Sequence, residues 1–138
     1  TRDLTILGAA LYWGEGYINF NLKRGCYPYI CFVNSDPNMI VAFIVFLEKI
    51  IGITKERIRC QVMIYPNLVP EKAINYWHNL TQIPKENFCF HVALSKASQR
   101  KRPGNLLPNG TLQLRISKRQ DFFKIRGLID GIIRATTL

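Results

Sequence analysis

A chain of 138 residues has the length of one domain rather than two. Hydrophobic residues make up 48% of it and charged residues 20%, a balance that predicts a packed core and excludes a disordered chain. Nineteen Lys and Arg against nine Asp and Glu leave a net charge of +10, which calls for a polyanionic partner, nucleic acid first, and points away from a neutral metabolic enzyme.

The first predicted helix runs roughly from Leu4 to Gly14, rich in Leu, Ile and Ala, and the glycines Gly14 and Gly16 stop it. Tyr17-Ile-Asn-Phe-Asn-Leu-Lys23 then alternates, with Ile18, Phe20 and Leu22 on one side and Asn19, Asn21 and Lys23 on the other, which predicts a half-buried strand. Arg24-Gly25-Cys26 turns the chain into a second strand, Tyr29 to Val33, whose facing the pattern leaves open. Asn34-Ser35-Asp36-Pro37 reads as a helix start, polar caps before a proline at the first helical position. The helix beyond it, to about Ile51, is apolar on most sides and belongs in the core. Its apolar run from Met39 through Phe46 meets Glu48 and Lys49 and closes at Gly52, short of the ~20 residues a membrane span needs. No charged-then-apolar leader opens the chain at Thr1, which leaves an upstream segment open. No membrane partner is expected, and the expected location is the cytoplasm, or an organelle if the chain is encoded there.

Residues 57–65 alternate again, setting Arg57, Arg59 and Gln61 opposite Ile58, Cys60, Val62 and Ile64. Pro70 starts a shorter helix through Tyr76 and Trp77, and the next strand, Phe88 to Leu94, is expected to bury Phe88, Phe90, Val92 and Leu94 and turn His91 outward. Lys96 to Gly110 reads as a loop carrying Lys96, Arg100, Lys101 and Arg102 among proline and glycine breakers. The last strand, Thr111 to Ser117, faces Gln113 and Arg115 outward and Leu112, Leu114 and Ile116 inward, and a final helix follows from about Asp121 to Ala135. Cys26, Cys31, Cys60 and Cys89 form no C-x2-C pair, so no zinc site is expected; all four read as reduced, with Cys31, Cys60 and Cys89 packed in strands as small hydrophobes.

One chemistry recurs along the strands. Their inner parity is Ile, Leu, Phe and Val, and their outer parity is Asn, Gln, Arg, Lys and His, the side chains that read base edges or hold phosphates. Aromatic residues fall mostly on the inner parity, which argues against a base-stacking platform for single strands.

Gly8-Ala-Ala-Leu-Tyr-Trp-Gly-Glu-Gly16, followed at once by Tyr17-Ile18, resembles the signature of the LAGLIDADG homing endonuclease family. There a helix of small and apolar residues ends in an acid and a glycine, and a strand follows. Glu15 stands at the metal-binding acidic position, Gly14 where a backbone carbonyl joins it, and Trp13 at the place of an earlier aspartate. Ala10 and Gly14 stand where the family places its small helix-contact residues, four apart, a spacing that lets two helix backbones approach. Lys118, between the last strand and the last helix, matches the family's cationic helper near the scissile phosphate. Asn34 lies near another polar site position, although it fits a cap better. The order helix, two strands, helix, strand, strand, helix covers nearly the whole chain once Pro70 to Leu80 is set aside as an inserted helix. Gly127-Leu-Ile-Asp-Gly131 looks similar to the motif but has no second acid and no strand after it, and reads as the interior of the closing helix.

The resemblance implies an α+β fold of LAGLIDADG type: a saddle with a curved antiparallel sheet and helices on its convex face. It implies a site-specific endonuclease of homing type, Mg2+-dependent, that acts on a pseudo-palindromic site in double-stranded DNA. One protomer brings one carboxylate and a double-strand cut needs two, so a twofold homodimer follows. The residues expected on DNA are Asn19, Asn21, Lys23, Arg57, Arg59, Gln61, His91, Gln113 and Arg115 from the strands and Lys96, Arg100, Lys101 and Arg102 from the loop. Two other readings share the scaffold: a DNA-binding transcriptional regulator that no longer cuts, and an RNA-splicing maturase.

Overall fold

The computed structural model describes residues 1–17, 27–93 and 107–137. Helix α1 (Arg2–Glu15) closes where the Gly16 N–H donates to the Tyr12 carbonyl at 2.7 Å. Gly16 then bridges Phe32 in antiparallel sense, and the Tyr17 N–H donates to the Cys31 carbonyl at 2.8 Å, so the chain leaving α1 enters the sheet directly. The rest of the strand expected over Tyr17–Lys23 lies outside the described residues. Strand β1 (Ile30–Asn34) leads into helix α2 (Pro37–Phe46), which is capped as its sequence demands. Asp36 Oδ1 accepts from the Asn38 and Met39 N–H groups at 2.8 and 3.4 Å, and Asn34 Oδ1 accepts from the Asp36 N–H at 2.8 Å. Asn34 therefore serves the cap. A π-helical turn over Leu47–Ile51 extends α2 and is closed by Gly52 at φ 85°, a left-handed conformation that favours glycine.

Strand β2 (Arg59–Ile64), helix α3 (Pro70–Thr81), strand β3 (Phe88–Val92), strand β4 (Thr111–Ile116) and helix α4 (Arg119–Thr136) complete an α+β fold. The strand order is β1-β4-β2-β3: β4 runs antiparallel to both neighbours, while β2 and β3 are parallel. The sheet is therefore mixed, where a wholly antiparallel one was expected. Parallel strands cannot be joined by a hairpin, and α3 is the crossover that joins them. Ala73, Trp77 and Thr81 bury one face of it at fourfold spacing, and the Trp77 indole N–H donates to the Asn109 carbonyl at 2.8 Å.

Alternation places Ile30, Phe32, Cys60, Val62, Ile64, Leu112, Leu114 and Ile116 on the face the helices cover. The Tyr12, Phe32 and Phe43 rings stack there at 4.3 Å (Phe32–Phe43) and 5.7 Å (Tyr12–Phe43). The close helix contact is made by Gly8, where a Cβ would fall 2.0 Å from the Phe46 ring. Gly8→Ala is expected to destabilise the fold by about 1–3 kcal/mol through overpacking, read as a lowered denaturant midpoint at unchanged slope.

Two expectations change at β3. Phe90, expected inside, is 50% exposed, because β3 is the edge strand and α3 the last helical cover among the described residues. Cys89 is likewise exposed rather than packed, whereas Cys60 is buried and its thiol is pushed up to about 12 by that burial. Residues 127–131 do lie inside a helix, α4, with Asp130 paired to Arg126 at 3.7 Å. Among the described residues no helix is long and apolar enough to cross a membrane.

Candidate nucleic-acid interface

The face of the sheet away from the helices is ordered in rows by strand register. Arg59 lies opposite Arg115, with Cys31 beyond Arg115 on β1. In the next row Gln61 lies opposite Gln113, flanked by Val33 on β1 and Cys89 on β3. In the third, Met63 lies between Thr111 and His91, and His91 is exposed as expected. Arg59, Arg115, Gln61, Gln113 and Cys89 of the first two rows line a hollow of about 440 Å³ together with Asn87, Ser117 and Glu86, the one carboxylate among the described residues that lines it.

Both arginines are held. Arg59 Nη1 donates to Asn87 Oδ1, and Asn87, only 8% exposed, donates from Nδ2 to the Glu56 and Ile58 carbonyls at 3.0 Å each. The Arg115 guanidinium sits 4.3 Å from the centre of the Tyr29 ring, a cation–π contact, and Tyr29 stacks on Tyr17 at 4.9 Å. The sequence reading missed this aromatic pair on the outer face. The signal was present, since Tyr29 shares parity with Cys31 and Val33 and opposes Ile30 and Phe32, which are buried. Asn87 was missed as well, because it precedes β3 and contacts Arg59 only through the parallel pairing of β3 with β2.

Arg57 needs correction. It lies in a 3-10 turn (Lys55–Arg57) before β2, and its guanidinium pairs with the buried carboxylate of Asp121 at the start of α4. Its charge joins two elements from a position ahead of the strand, and the residue itself stays exposed. Asn19, Asn21, Lys23, Lys96, Arg100, Lys101 and Arg102 lie outside the described residues.

Glu15 is the exposed last residue of α1. Lys118 is exposed too, in the two-residue junction between β4 and α4, where its carbonyl accepts from the Asp121 N–H at 3.2 Å. Gly16 pairs with Phe32 and Phe32 with Leu114, so Gly16 stands about two strand spacings, ~10 Å, from Leu114, and Lys118 lies four residues beyond Leu114 along the chain. Tyr12, three residues before Glu15, is buried and pins this corner: its hydroxyl donates to the Tyr17 carbonyl and accepts from the Cys31 N–H at 3.2 Å. Burial pushes the Tyr12 phenol well up, so it stays a neutral donor.

The opposite side of α1 is uncovered. Ile6, Leu7 and Trp13 are 42%, 47% and 54% exposed, and they share a stripe with the exposed Ala10 and Gly14. A Cβ added at Gly14 would meet nothing within 4 Å. Among the described residues no cluster of three His, Cys, Asp or Glu side chains forms a ready metal site. No family model matches the chain, and neither does any curated protein or solved structure.

Proposed function

We propose that the chain is a site-specific double-stranded DNA endonuclease of LAGLIDADG homing type, Mg2+-dependent, saddle-shaped and active as a homodimer on a pseudo-palindromic site. One juxtaposition carries this reading. A single helix, α1, presents an uncovered apolar stripe, ends in the motif's acid Glu15, and feeds straight into the sheet whose open face is basic and amide-rich.

A second copy of α1 laid across Ile6, Leu7, Ala10, Trp13 and Gly14 covers the stripe and sets the two Glu15 carboxylates on either side of the twofold axis. The order of elements follows the family's once β3 is set aside together with α3, the helix expected to be inserted, between β2 and β4. Glu15 and the Gly14 carbonyl offer oxygen donors only, from exposed positions at a helix end, which suits a hard divalent cation that keeps several of its waters. Such an ion supplies charge stabilisation to the transition state and acidifies a water. Glu15 and Gly14 hold it, Lys118 offers a positive charge to the scissile phosphate, and the sheet orients the duplex. On that face the Gln61 and Gln113 amides carry the donor and acceptor pairs that distinguish base edges in the major groove. His91 extends the face, as do Asn19, Asn21 and Lys23 of the expected first strand and the basic residues of the expected loop.

The test is Mg2+-dependent cleavage of a library of palindromic duplexes, with double-strand products expected. Binding without any cutting would instead assign the regulator. A companion variant probes the dimer. Gly14→Leu meets open space within the protomer, so its folding is expected to be unchanged. The leucine obstructs an approaching helix backbone, and sedimentation is expected to show monomers that have lost cleavage. An unchanged dimer would place the interface elsewhere.

A further inference from the structure

Two arginines directly opposite on neighbouring strands are an unfavourable pair, since like charges facing across a ladder repel. Neither forms an ion pair among the described residues, and Glu86, which also lines the hollow, is paired with neither of them. Asn87 and Tyr29 supply neutral partners, an amide oxygen and a π face, which orient the guanidiniums without discharging them. Asn87 is itself anchored by two backbone carbonyls, so the place of Arg59 is set by the entry to β2 and not by solvent. Tyr29 engages Arg115 through its ring, a contact that takes up none of the guanidinium N–H donors.

We infer that Arg59 and Arg115 act together as a clamp on one backbone phosphate, preset by Asn87 and Tyr29, and are not base readers. This rests on the reading of the sheet face as a nucleic-acid surface. A guanine edge offers acceptors but no net charge, and it leaves the two cations repelling each other. A phosphodiester offers a full negative charge and oxygens for two guanidinium forks at once. The hollow has room for one such group. Sequence reading then falls to the adjacent Gln61–Gln113 row, and the arginine row fixes the duplex in register against it.

The experiment compares the parent with Arg59→Gln, Arg115→Gln and the double variant on duplexes carrying single methylphosphonates, and titrates the free protein with inorganic phosphate. Each single variant is expected to weaken binding to every sequence by about tenfold or more, to lower the log–log salt slope by about one, and to leave base preference unchanged. One methylphosphonate position per half-site should cost the parent a similar factor and cost the double variant nothing. Inorganic phosphate should shift the Arg59 and Arg115 guanidinium resonances along one common isotherm. A changed base preference in either arginine variant would overturn the clamp, as would methylphosphonate losses that add to those of the double variant. If the duplex is bound but phosphate moves neither resonance, the clamp falls and the DNA reading stands. If phosphate moves both but no duplex is bound, the clamp stands and the DNA reading falls.

Discussion

Affinity for duplex DNA is expected to fall by about 10³–10⁵-fold as salt rises from ~50 to ~200 mM, given six to ten phosphate contacts per dimer. The chain carries a net charge of +10, and a dimer twice that. Not all of its cations are free to meet phosphate. Among the described residues Arg57 and Lys124 face Asp121, Lys55 faces Glu48, and Arg126 faces Asp130. Arg59, Arg115, Lys118 and Arg119 are outside those pairs, and the loop expected over 96–110 adds Lys96, Arg100, Lys101 and Arg102. Two such sets in a dimer reach the required number of contacts. Fluorescence anisotropy over a salt series measures the slope, which should be nearly the same on specific and random duplexes, because phosphate contacts carry no sequence information. A flat response would remove nucleic acid as the partner.

The faces of the sheet were legible because they depend on a period of two, which the residues over 59–64 and 111–116 keep without a break. The cap at Asp36-Pro37 was legible for the same reason: the interaction spans three residues. What failed was long-range. Nothing in the alternation of residues 88–92 distinguishes a parallel neighbour from an antiparallel one, and the direction of β3 follows from the crossover through α3. Arg57 and Arg59 share residue type and parity, yet one pairs with a carboxylate 64 positions later and the other with an amide 28 positions later. The 3-10 turn over Lys55–Arg57 separates their fates, and it leaves no mark in a hydropathy pattern. The small residues in α1 divide in a way that residue type alone does not show. Gly8, Ala10 and Gly14 look equivalent in sequence, but only Gly8 is pressed against the protomer's own core, and the other two lie on the open side. That division is useful, because a stripe free of internal duties is one a second copy can occupy.

Glu15→Gln is expected to reduce strand scission by at least about 10²–10³-fold, the scale of losing one electrostatic stabiliser of a transition state, while binding is retained. The substitution keeps size and hydrogen bonding and removes the charge that would hold the divalent ion in the proposed reading. No other carboxylate in α1 can substitute: Asp3, the only other one, lies about 18 Å away along the axis. Glu15 is exposed at the helix end and outside the hydrophobic core, so the fold should tolerate the change. Affinity for the target should match or exceed that of the parent, since one negative charge near phosphate is gone. The measurement is paired on one duplex, gel-shift affinity in Ca2+ and then scission of each strand in Mg2+, for parent and variant. A regulator would show a silent parent and a substitution that alters affinity alone. Robust cutting by Glu15→Gln would take Glu15 out of the active site, and with it the main chemical argument for placing this chain among the LAGLIDADG enzymes.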